Sequence, residues 1–223
     1  MTDPNTMLSG IPQARFVDEA SIMRLLSLLP INSESAFRIQ FTSPVQDTGT
    51  SSITRDFAIV ACTNLDFKVL LVSLEGVVDT VEETVRLRYG IDCTEIERPF
   101  FADTKDDFPL KMVENQKIKL SVAMLQKNER CEAFLSSWVN FIEENKKKFD
   151  LILVDSMPLN RSYVAVTLSS KVDANIIVVA AEETSIAETK NLMNRLEEKD
   201  GHILGIVLNK RHFYIPDFIY KKI

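Results

Sequence analysis

Glycine is scarce in this chain: six residues among 223, Gly10, Gly49, Gly76, Gly90, Gly201 and Gly205. None is followed by Lys and no pair has the GxGxxG spacing, which excludes a standard Walker A loop and a Rossmann fingerprint. Cysteine is sparser still. Cys62, Cys93 and Cys131 lie far apart with no CxxC spacing, and there are only two histidines. A disulfide or zinc framework is therefore excluded, and a reducing cytoplasm is the expected home. No apolar run reaches the ~18–20 residues of a membrane span. The first ten residues, MTDPNTMLSG, lack the basic flank and apolar stretch of a signal peptide. Positive charge is also short, with 26 Lys and Arg against 32 Asp and Glu for a net charge of −6. That balance argues against a nucleic-acid partner, whose phosphates call for a basic surface.

What remains is an ordinary globular composition, 45% hydrophobic and 26% charged, able to bury a core in one compact domain. No repeat, low-complexity tract or linker divides it. Apolar runs of strand length recur: Phe37 to Thr42, Lys68 to Leu74, Leu151 to Asp155, Asn175 to Ala181, Ile203 to Asn209, and more weakly Ile118 to Leu125. Helical spacing lies between them. Over residues 131–148, Phe134, Leu135, Trp138, Phe141 and Ile142 share one face. A helix over 184–199 is expected to open on a Thr184 cap, to bury Ile186, Met193 and Leu196, and to stop at Asp200-Gly201. Strands alternating with helices predict an α/β, doubly wound, mostly parallel sheet with helices on both faces. Ligands of such sheets bind at the carboxyl ends of the strands. The candidate positions are thus 43–52, 73–75, 155–158, 181–183 and 209–211.

The first of these loops runs Thr42-Ser43-Pro44-Val45-Gln46-Asp47-Thr48-Gly49-Thr50-Ser51-Ser52 into a helix expected over Ile53 to Asn64. A polar loop at a helix start can cradle phosphate with backbone N–H groups and the positive end of the helix dipole. Thr50, Ser51 and Ser52 can equally be local caps of the helix. Both readings stand on the loop alone.

Longer segments add context: TSPVQDTGTSS at 42–52, KVLLVSLE at 68–75, FDLILVDSMPL at 149–159, VDANIIVVAAE at 172–182 and ILGIVLNK at 203–210. In order and spacing they resemble the Min/ParA-like P-loop ATPases. They are most similar to the branch of cytoplasmic bacterial tyrosine kinases that regulate capsule and exopolysaccharide export. That branch reads T-S-x-x-P-G-E-G-K-S-T, K-V-L-L-I-D-A-D, Y-D-L-V-I-I-D-T-P-P and L-G-V-V-L-N. The resemblance implies a single P-loop NTPase-like domain over 17–212, after an N-terminal tail at 1–16 and before a basic-aromatic helix at 213–223. It also implies a vestigial nucleotide site at Thr48, Gly49, Thr50, Ser51, Ser52 and Asn209. Asp155 and Ser51 would hold Mg²⁺ if a nucleotide binds.

The departures from that pattern fall where the chemistry would be. The Walker Lys position is Thr50, and the first glycine of the motif's core is Asp47. Ser73-Leu74-Glu75 replaces a pair of aspartates. Lys carries charge to the β/γ-phosphates, which Thr cannot do and Asp opposes. The ring-building E-x-x-R-x-x-R pattern is lost around Glu19, where Ile22 and Leu25 stand, and the tail carries only Tyr214 and Tyr220. The resemblance with these losses implies a catalytically impaired regulatory or scaffold component of capsule or exopolysaccharide biosynthesis, with no catalytic residue and no cofactor. A working ATP switch, or a Min/ParA-like positioning ATPase, is the alternative. The implied partners are a membrane-embedded export or co-polymerase protein, engaged by the tail, and further copies of the chain. The implied location is cytoplasmic and peripheral to the inner face of the cell membrane.

The tail itself, NKRHFYIPDFIYKKI, concentrates Lys210, Arg211, Lys221 and Lys222 with four aromatics. It reads either as a docking surface or as a last helix packed on the domain. Residues 100–117 read as a charged loop or short helix without a motif. Neither histidine has a partner acid and nucleophile, so no catalytic triad is expected.

Overall fold

The computed structural model describes residues 12–31, 34–96, 108–126 and 129–211. The C-terminal helix expected at 213–223 and residues 1–11 of the N-terminal tail lie outside the described residues. One eight-stranded sheet organises the chain in the order β3-β4-β5-β2-β6-β1-β7-β8. Its strands are β1 Phe37–Thr42, β2 Val69–Ser73, β3 Thr94–Glu95, β4 Leu110–Asn115, β5 Leu120–Leu125, β6 Leu151–Asp155, β7 Ala174–Ala180 and β8 Ile203–Asn209. The run from β5 to β8 is parallel, while β3 and β4 form an antiparallel edge. Strands β2, β6 and β7 are buried at every residue, which is why they read as unbroken apolar runs.

Helices cover both faces. On one side α1 (Glu19–Leu28), α2 (Thr50–Asn64) and α3 (Val81–Tyr89) pack Ile22, Leu26, Ile53, Phe57 and Val85 against Ile39, Phe41, Leu71 and Leu153. On the other, α4 (Leu135–Asn145) and α5 (Val164–Leu168) close over Leu70, Val72, Ile152 and Val154. There Trp138 meets Phe108 and Phe141 edge-on, with ring centroids 5.1 and 5.7 Å away. Further along that side, α6 (Ile186–Glu197) sets Leu192 and Leu196 on Ile177 and Val179.

The predicted doubly wound α/β class is what the chain adopts. From β1 the chain crosses β6 to reach β2, and from β6 it crosses β1 to reach β7, so neighbouring strands send their connections opposite ways. A crevice opens at such a switch. The register levels the strand ends there, with Asp155 paired to Phe41 on one side and Ser73 on the other.

Three local expectations need correction. Helix α6 is capped by Ser185, not Thr184, in a reciprocal capping box with Glu188; the Thr184 hydroxyl instead accepts the Ala180 N–H at 3.0 Å. Its seam is the i,i+4 pair Leu192 and Leu196, while Ile186 in the first turn is 76% exposed. Within the stretch read as a charged loop or short helix, Leu110–Asn115 is strand β4, paired with β5 through a tight connection in which Lys119 takes a φ of 47°. Lys111 and Glu114 stand at its less buried positions, and their charge hid the strand.

Helix α2 is buried nearly all round, and it carries two ionised side chains into the interior. Arg55 and Asp56 pair with each other there. The Asp56 carboxylate also accepts the backbone N–H groups of Arg15, Phe16 and Val17, so it holds the segment before α1 against α2. A buried charge is tolerated only with such pairing, here complete except for Arg55 Nη2.

Candidate functional site

A cavity of about 370 Å³ opens at the ends of β1, β2 and β6. The loop after β1 forms one wall, with Thr48, Gly49, Thr50, Ser51 and Ser52 all on its surface; Glu75, Asp155, Pro158 and Arg161 face them. Three of the five strand-end segments expected from the sequence therefore meet. Ala181 to Glu183 are elsewhere: the Ala181 N–H bonds the Asn209 carbonyl, and Glu183 pairs with Lys210 at 3.0 Å.

Two left-handed residues shape the loop. Asp47 has a φ of 61° and Gly49 a φ of 87°, both in the left-handed region. Gly49 is indispensable on two grounds, since an added Cβ would also lie 2.2 Å from Asn209 Nδ2. That amide donates to the Thr48 carbonyl at 2.8 Å. Asn209, expected to line the nucleotide site, braces the loop from behind. Pro44 and Ser43 are pinned likewise, their carbonyls accepting the N–H groups of Asn160 and Leu159. The alternative reading of Thr50, Ser51 and Ser52 as helix caps does not hold. Helix α2 begins at Thr50, three residues before the expected start, with Gly49 as its N-cap and no side-chain cap.

Thr50 occupies the position of the Walker lysine, and it is only 9% exposed. Its hydroxyl lies 3.0 Å from that of Thr48, inside the loop. It offers a phosphate no charge.

Two of the acidic residues, Asp155 and Glu75, are spoken for. Asp155 is buried, which pushes its carboxyl above the ordinary range against hydrogen bonds from Tyr89 and Ser51. The Tyr89 hydroxyl donates to Asp155 Oδ2 at 2.7 Å. Burial and the neighbouring Asp155 push Tyr89 well above the usual phenol range, which keeps it a donor. Ser51 and Asp155, expected to share a cation, are thus brought together but bonded to each other. Glu75 accepts from Arg161 at 2.7 Å and pairs with Arg88 at 3.3 Å. Arg88 also donates to Ser73 Oγ and to the carbonyls of Glu75 and Gly76.

These residues do not fit a magnesium nucleotide. The lining presents Asp47, Glu75 and Asp155 against the single guanidinium of Arg161. Among the described residues no group of three or more His, Cys, Asp or Glu could hold a metal ion. A triphosphate entering this pocket meets net negative charge and no lysine. Tyr89, Arg88 and Arg161 were not anticipated from the sequence. Helix α3, which carries two of them, was signalled by the Thr80 cap three residues before Glu83 and by Gly90 in left-handed conformation at its end.

Comparison with known proteins agrees with this fold. No protein-family model matches the chain. Two curated sequences, both the tyrosine-protein kinase CpsD of Streptococcus pneumoniae, are similar to it. One is 34% identical over 71 residues, 32% of this chain and 31% of that protein. The other, from serotype 4, is 26% identical over 137 residues, 61% of this chain and 52% of that protein. The chain therefore spans about half the length of the curated relatives at most. Among solved structures, the kinase domain of the Escherichia coli tyrosine kinase ETK superposes with a TM-score of 0.68 at 16% identity, covering 89% of this chain and 76% of that one. The MinD cell division protein of Aquifex aeolicus gives a TM-score of 0.57 at 23% identity, covering 84% and 73%. The fold is that of bacterial tyrosine kinase domains and MinD-like P-loop ATPases.

Proposed function

We propose that this relative of bacterial tyrosine kinases is a kinase-like protein without kinase activity, a regulatory or scaffold component of capsule or exopolysaccharide biosynthesis. Thr50 carries the reading. A neutral, buried hydroxyl bonded within the loop stands where phosphoryl transfer needs a cation. The partner is a membrane-embedded export or co-polymerase protein, engaged through residues 213–223, with further copies of the chain as a second class of partner. No helix among the described residues is long and apolar enough to cross a membrane, so contact with a membrane would be peripheral.

Calorimetric titration of the pure protein with ATP and Mg²⁺ should give no binding at micromolar concentrations, and mass spectrometry after incubation with ATP should find no phosphotyrosine. A micromolar Kd, worth about −8 kcal/mol, or time-dependent phosphate on a tyrosine overturns the reading. The second reading, an ATP switch or Min/ParA-like positioning ATPase, is favoured by the retained loop shape at Asp47 and Gly49 and by Arg161 as a cation from another loop. Tight, magnesium-dependent ATP binding without phosphotyrosine would select it.

A further inference from the structure

The two acidic side chains at the strand ends of the pocket are answered by consecutive residues of one helix. Arg88 and Tyr89 close α3, and successive helical positions point about 100° apart, so one residue pair can reach two walls. Arg88 takes Glu75, Ser73 Oγ and the Gly76 carbonyl. Tyr89, 1% exposed, takes Asp155. The end of α3 is itself fixed. The Gly90 N–H returns to the Arg86 carbonyl, and the Tyr89 carbonyl accepts Arg55 Nε, which belongs to the buried pair that holds residues 15–17.

We infer that Arg88 and Tyr89 form an internal latch that takes the place of a metal ion, occupying Glu75 and Asp155 so that the pocket is complete without one. The inference rests on the pocket's geometry and is independent of any role in polysaccharide assembly. A cation reaching Asp155 must compete with the hydrogen bonds that Tyr89 and Ser51 give it. A cation reaching Glu75 must compete with two guanidinium groups. The latch thus makes the site indifferent to magnesium, and each substitution that opens it should create a magnesium dependence that the native chain lacks.

The test uses the full chain in three forms: native, Tyr89→Phe and Arg88→Gln. Thermal unfolding is followed in Mg²⁺ and in NaCl of equal ionic strength, and Mn²⁺ binding is measured by electron paramagnetic resonance. The native protein should melt at the same temperature in both salts. Each variant should melt lower in NaCl, regain part of the loss in Mg²⁺, and bind Mn²⁺ at least about tenfold more tightly than native, the direction mass action requires of a ligand for the folded state. Native protein stabilised by Mg²⁺ as much as the variants overturns the inference. So do variants that fold, melt lower and ignore both cations. Arg88→Gln keeps a polar side chain at a less buried position than Tyr89 and preserves the test if Tyr89→Phe fails to fold.

Discussion

Asp47→Gly with Thr50→Lys places at both positions the residues of the P-loop pattern that this loop resembles. The backbone is ready for the change. Asp47 already holds a φ of 61°, where Gly is at ease and other residues are strained, so the first substitution leaves stability unchanged or raises it. A lysine at position 50 has the 370 Å³ cavity in front of it. A charge-assisted hydrogen bond to phosphate contributes about 1.5–3 kcal/mol. Removing a carboxylate roughly 5 Å from the phosphate contributes about 1–3 kcal/mol, for an effective dielectric between those of a protein surface and water. Together the pair should tighten ADP binding by about 3–6 kcal/mol, or roughly two to four orders of magnitude. Calorimetry in Mg²⁺ and in chelator, with circular dichroism as the control for folding, measures it. A folded double variant with no gain in ADP affinity refutes the claim that the loop backbone is still a cradle.

Two further outcomes are expected. Burial disfavours charge on Asp173, but hydrogen bonds from the Arg38 side chain and N–H more than offset it and lower its pKa. Its contribution is therefore complete above the ordinary carboxylate range and fades as pH falls through the lowered value; Asp173→Asn should cost about 2 kcal/mol at neutral pH, and urea titrations should show that difference vanishing as the pH falls below the ordinary carboxylate range. Equal loss at both ends of the range would show that the charge is irrelevant. Removing residues 213–223 should abolish co-purification with the membrane-embedded partner while circular dichroism stays native; unchanged co-purification rules the tail out as the docking segment, and an unfolded product makes the tail part of the core.

The fully buried strands were the plainest parts of the fold in the sequence, although β8, which has no fully buried residue, was legible too. Leu151–Asp155 and Ala174–Ala180 have no exposed residue, so their apolar runs could mean little else. Strand β4 was missed because Lys111 and Glu114, half-buried on opposite faces, interrupt its apolar run. Helix α3 was missed for a related reason. Its sequence, VEETVRLRY, carries four charges in nine residues, and the residues that matter to the pocket are at its very end. The loop was legible because its five residues are contiguous. Tyr89 and Asp155 are 66 positions apart, and Asn209 and Thr48 are 161 apart. No local pattern reports a contact of that kind. The tertiary structure moved Asn209 from ligand to brace and added Tyr89, Arg88 and Arg161 to the site.

The brace also makes the loop part of the sheet's own construction. Gly49 has no room for a Cβ because Asn209 stands behind it, and Asn209 stands there because its amide closes on the Thr48 carbonyl at the last residue of β8. A larger residue at position 49 would push the Asn209 amide off the Thr48 carbonyl and strain a left-handed backbone, a penalty felt in folding whether or not any ligand ever arrives. Thr50 is held differently, within the loop, by the hydroxyl of Thr48. The outline of the loop thus answers to the outermost strand of the sheet, and the residues that face the cavity are free to answer to something else.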